Sequence, residues 1–165
     1  MRRILSFISV FALLLTACEG DPGPQGPPGF DGRDGIAIPA AFEIQLDFTA
    51  PNYDFIEPYG FEVLPTDVTL VYISWDIDNG QDVWRLVPQT VIFDDGNDLV
   101  YNYDFTQTDV RFFLEGSNLD ILGPEWTQAQ VFRVVVVPAD NIGRLDLSDL
   151  DAVMNMYGIE EFTRR

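Results

Sequence analysis

The chain has 165 residues, with nine arginines, no lysine or histidine, one cysteine and 27 acids, for a net charge of −18. That length suits one modest domain once a leader and a linker are set aside. Without histidine or a second cysteine, a Ser-His-Asp triad, a His/Cys zinc site and a redox dithiol are excluded, and the acidic field argues against nucleic acid as a partner.

The N-terminus reads as an export signal. Arg2 and Arg3 form a short basic segment, and residues 4–15 are a twelve-residue apolar run. A bilayer core of about 30 Å needs roughly 20 residues, so this run is too short to span and has signal-peptide length instead. Leu15-Thr16-Ala17-Cys18 follows, and it resembles the bacterial lipobox, in which small residues enter the signal peptidase and the thiol takes a diacylglyceryl group. Cys18 has no partner cysteine in its own chain, as expected of a residue committed to acylation. Two or three acyl chains there would give stable anchoring. The mature chain would carry seven arginines against 27 acids, a net −20. Glu19 and Asp21 resemble the acidic export tags of Bacteroidetes surface lipoproteins. The expected location is the outer membrane, lipid-anchored, with the periplasmic and surface-exposed faces both open.

Glycine recurs at positions 20, 23, 26, 29, 32 and 35, with four prolines between them. This is the Gly-X-Y pattern of collagen, where only glycine fits the helix axis and proline presets polyproline II angles. Two readings follow. The segment is a single-stranded, semi-rigid spacer of about 16 residues reaching roughly 50 Å, or it winds into a homotrimer.

The expected organisation is a signal peptide at 1–17, a lipidated cysteine and collagen-like stalk at 18–36, and a β-rich domain at 37–165. In that domain Phe42, Ile44, Leu46 and Phe48 alternate with polar residues, the period of a half-buried strand. Residues 68–75 are apolar on both parities and read as a central strand. Asp76, Asp78, Asn79 and Gly80 supply a turn, Asn79-Gly80 being a strong hairpin signal. Residues 83–87 return, Pro88 interrupts and residues 90–93 continue. A second turn at Asp94, Asp95, Asn97 and Asp98 leads to strands at 99–105, 110–114 and 129–137. The fold class expected is all-β, an antiparallel β-sandwich, immunoglobulin-like or jelly-roll-like, with one short C-terminal helix. Ser148 and Asp151 form its expected capping box and Gly158 its end, with Leu150, Val153, Met154 and Tyr157 on one face.

Lipobox, Gly-X-Y segment and body together resemble the short collagen-like lipoproteins of the Bacteroidetes. The likeness continues at Asp82-Val83-Trp84-Arg85-Leu86-Val87-Pro88-Gln89-Thr90 and at residues 130–139. It implies a tethered, β-rich envelope protein and assigns no biochemical role.

No catalytic set and no cofactor are expected, although paired carboxylates could serve a glycosidase. Asp76, Asp78 and Asp82, with Asn79, are calcium candidates on a hairpin, but their spacing is not that of an EF-hand, and a solvated turn is the alternative. Asp94, Asp95, Asn97 and Asp98 invite the same two readings. Trp75, Trp84 and Trp126, with Tyr53, Tyr59, Tyr72, Tyr101 and Tyr103, would stack on sugar rings if exposed, or pack as core and cross-strand pairs. Arg85, Arg111 and Arg133 are expected to pair with acids on neighbouring strands. The function expected is a non-catalytic envelope lipoprotein with a structural or interaction role; a glycan- or calcium-binding module is the alternative, and a glycan or protein is the expected ligand.

Overall fold

The computed structural model describes residues 40–165. The leader, Cys18 and the Gly-X-Y segment lie outside the described residues.

Among the described residues nine strands form two sheets. They are β1 (Ala40–Leu46), β2 (Asp54–Pro58), β3 (Asp67–Asp78), β4 (Gln81–Leu86), β5 (Gln89–Ile92), β6 (Asp98–Phe105), β7 (Asp109–Glu115), β8 (Gln130–Pro138) and β9 (Thr163–Arg164). The first sheet has the order β4-β3-β8-β1-β9 and the second β2-β7-β6-β5. All pairs are antiparallel except β1 with β9. The fold is the all-β sandwich expected from the alternating pattern. Its pairing is nested, β1 with β8 and β2 with β7. The nesting stops there, because β3 makes a hairpin with β4, and β6 pairs with both β5 and β7.

The inner faces meet in one core. Phe42, Ile44 and Leu46 of β1, Val71 and Ile73 of β3, and Phe132, Val134 and Val136 of β8 pack against Leu99 and Tyr101 of β6 and Val110, Phe112 and Leu114 of β7. The outer face of the first sheet is covered as well. Ala41, Leu70, Tyr72, Val135 and Val137 lie beneath Leu150 and Val153 of the C-terminal helix and Ile159 beyond it. This second layer explains why β3 and β8 are apolar on both parities, since each of their faces is buried. Burying a Leu or Val side chain contributes about 1.5–3 kcal/mol, which is what holds so short a helix in place.

The α-helices among the described residues are α1 (Pro124–Thr127) and α2 (Leu150–Tyr157). The cap of α2 differs from expectation. Asp149 is the N-cap, its carboxylate accepting from the Ala152 amide at 3.0 Å, whereas Ser148 donates its hydroxyl to Asp146. The carboxylate of Asp146 already engages Ser148 through amide and hydroxyl, so that serine is held one residue short of the helix. Gly158 ends the helix as expected, at φ +66°.

The Asn79-Gly80 turn is a two-residue hairpin with both residues at positive φ, joining β3 to β4. At Pro88 the chain leaves the first sheet, and β5 joins the second. Strand β2 was not expected, because its five residues include two acids and a proline. It lies on a sheet edge, where proline is tolerated, and pairs along β7.

Candidate functional site

A cleft of about 510 Å³ lies at one end of the sandwich. The end of β3, the start of β4, the middle of β6, the start of β8 and the α1 turn (Pro124–Thr127) meet there, presenting Trp75, Asp82, Tyr101, Glu125, Trp126 and Gln130. A second hollow of about 200 Å³ adjoins it, lined by Phe93, Asn97, Ile121 and Leu122 among others. Glu125 and Trp126 line both, so α1 is the ridge between them.

The ridge is held from several sides. Gly123 precedes it and Pro124 stands at its first position, where a missing N–H costs nothing. The carbonyl of Thr127 accepts from the Phe48 amide at 2.7 Å, and the Ala129 amide donates to Asp47 at 2.7 Å. The Tyr101 hydroxyl donates to the Trp126 carbonyl at 2.7 Å, and Gln130 Nε2 donates to the carbonyls of Gln128 at 2.7 Å and Glu125 at 3.0 Å. Burial raises the Tyr101 pKa, keeping this hydroxyl a donor. Trp126 packs edge-on against Phe93, with centroids 5.3 Å apart, and Trp75 edge-on against Tyr101 at 6.2 Å. These contacts fix the indoles before any ligand arrives, which lowers the entropic cost of binding.

The cleft's polar groups are mainly hydrogen-bond acceptors. Asp82 accepts from Ser74 at 2.8 Å, and Asp76 from the Ile77 amide at 2.7 Å. The Glu125 carboxylate engages no donor among the described residues and lies over Gly123, where an added Cβ would come within 2.2 Å of it. Arg85 is an exception to the expected arginine pairing: it has no ion pair among the described residues, and its guanidinium instead covers the Trp75 ring at 4.7 Å. Arg111 does pair, with Asp54 at 3.1 Å and Asp104 at 3.6 Å, and Arg133 pairs with Glu43 at 3.0 Å.

Of the aromatic candidates, the fold brings together Trp75, Tyr101 and Trp126. Trp84 instead stacks against Arg133 at 4.1 Å. Tyr59 and Tyr72 are fully buried, Tyr53 bonds Asp120, and the Tyr103 hydroxyl donates to the Thr69 carbonyl. The calcium candidates do not converge. Asp82 stands opposite Ile77, whereas Asp76 and Asp78 stand opposite Val83 and Gln81, so the pleat puts Asp82 on the other face. In the second turn Asp95 accepts from the Asn97 amide, and Asn97 and Asp98 both engage Ser117. Among the described residues no cluster of three or more candidate ligands could hold a metal ion.

Glu125 and Gln130 escaped sequence reasoning. The available signal was Gly123-Pro124, a turn marker that could have drawn attention to the residues just after it. Comparison with protein-family models, with curated proteins and with solved structures gives no match to this chain.

Proposed function

We propose that this chain is a lipid-anchored protein of the bacterial outer membrane, displaying a non-catalytic sandwich on a collagen-like spacer as an interaction module. The observation that carries the reading is Cys18, the only cysteine of the chain, placed directly after Leu15-Thr16-Ala17 and a basic-then-apolar leader. The resemblance to short collagen-like lipoproteins of the Bacteroidetes supports the same reading. The spacer holds the body away from the lipid, and a surface rich in acid keeps neighbouring copies apart. The lack of histidine, lysine and a second thiol supports a binding role over a catalytic one. The pre-set cleft between Trp75 and Trp126 supports interaction over a purely structural role.

The test is Cys18→Ser in the native host. The variant protein should leave the membrane fraction and keep its leader uncut, and mass spectrometry of the parent should show an acylated N-terminal cysteine. An unacylated parent, or a variant still bound to membrane, refutes the anchor.

A further inference from the structure

We infer that the two hollows flanking Trp126 are adjoining subsites for a neutral oligosaccharide. The inference rests on the reading of the body as a binding module and is independent of the anchor.

The chemistry of the lining selects the ligand class. A sugar presents apolar C–H faces, which lie well on indole rings, and hydroxyl donors around its rim. The cleft offers the matching set: the indole of Trp126, the carboxylates of Asp82 and Glu125, and the hydroxyl of Ser74, with Trp75 lining the same cleft. Glu125 is central, because its carboxylate has no donor among the described residues and borders both hollows. Acidic sugars would meet carboxylates and a strongly negative overall field. A small organic cation is also disfavoured. The protein's own Arg85 already covers Trp75 at 4.7 Å, taking the cation–π position on that ring.

Length follows from the layout. The hollows, of about 510 and 200 Å³, share Trp126 and Glu125 as their common wall. A chain of sugars crossing the α1 ridge touches both, whereas a monosaccharide fills only one. Affinity should therefore rise with chain length until both are engaged. The hydrogen bonds from Tyr101 and Gln130 to the backbone of the ridge keep it from collapsing when empty.

The experiment uses the full chain in a zwitterionic, sugar-free detergent. The probes are maltohexaose, cellohexaose and chitohexaose with their mono- and disaccharides, followed by titration calorimetry and tryptophan fluorescence. At least one hexaose should bind saturably and more tightly than its own disaccharide. Trp126→Ala should weaken it by about tenfold or more, and Glu125→Gln by several-fold. Glu125 is exposed, so its variant keeps the readout should Trp126→Ala lose the fold; unchanged melting of each variant confirms that it is folded. The proposal is overturned if no hexaose binds, if both folded variants bind like the parent, or if choline or spermine binds there instead.

Discussion

Replacing Arg165 by alanine removes a side chain that ties the two sheets together. Arg165 follows β9, on the edge of the first sheet, and its guanidinium reaches across to β2, on the edge of the second. Nη1 donates to Glu57 at 3.0 Å and to the Pro58 carbonyl at 2.8 Å, and Nη2 donates to the Tyr59 carbonyl. The same group lies over the ring of Phe42 at 3.9 Å. With the side chain 24% exposed, solvent screens the ion pair only in part. Hydrogen bonds from a charged donor contribute about 1.5–3 kcal/mol each, a screened ion pair up to about 1, and a cation–π contact about 0.5–2. These effects share one group and do not add, so the expected loss is about 3 kcal/mol. At about 3–5 °C per kcal/mol for a body of this size, Tm should fall by roughly 10 °C. Arg165→Lys keeps the charge but not the planar fork, and should lose about half as much. Chemical denaturation followed by tryptophan fluorescence measures both. An Arg165→Ala variant within about 0.5 kcal/mol of the parent, the range of an ordinary surface change, would refute the clamp.

Two further outcomes follow from the fold. Asp149→Ala should cost about 1 kcal/mol by removing the cap of α2, while Ser148→Ala should cost much less; equal losses would restore the serine cap expected from the sequence. On the alkaline side, burial raises the pKa of Tyr59 from the ordinary 10.0 to about 12, and raises those of Tyr72 and Tyr101 as well. The folded state therefore holds these protons more tightly than the unfolded chain. Their stabilising contribution is complete below pH 10 and is lost as pH rises through 12 and beyond. Stability measured against pH should begin to fall near the ordinary tyrosine pKa of about 10, with the tyrosinate absorbance of these three residues appearing only as the protein unfolds. Ionisation of these tyrosines at that pH in a fully folded protein would contradict the assignment.

The local rules were legible wherever side-chain period and turn chemistry decide the outcome. Alternation at Phe42, Ile44, Leu46 and Phe48, the Asn79-Gly80 hairpin and the Gly158 stop depend on neighbours within a few residues. So do the ends of most strands and the apolar face of α2. The double-sided apolar character of residues 68–75 correctly marked a strand buried on both faces. What covers the second face, the C-terminal helix, was not specified by that pattern.

Tertiary contact decided the rest. Strand β2 carries acids and a proline and exists because β7 offers it an edge to pair with. Arg85 covers a tryptophan rather than an acid because it stands opposite Ile73 on β3, and the side chain two residues further along that strand is Trp75. Asp76 and Asp82, close in sequence, are parted by the pleat. Trp75, Tyr101 and Trp126, far apart in sequence, meet because nested pairing brings the end of β3, the middle of β6 and the approach to β8 to one end of the sandwich. Composition and short-range period thus determined the strands and which reactions were out of reach. The placement of a cleft depends on contacts between residues dozens of positions apart, whose partners no local pattern names.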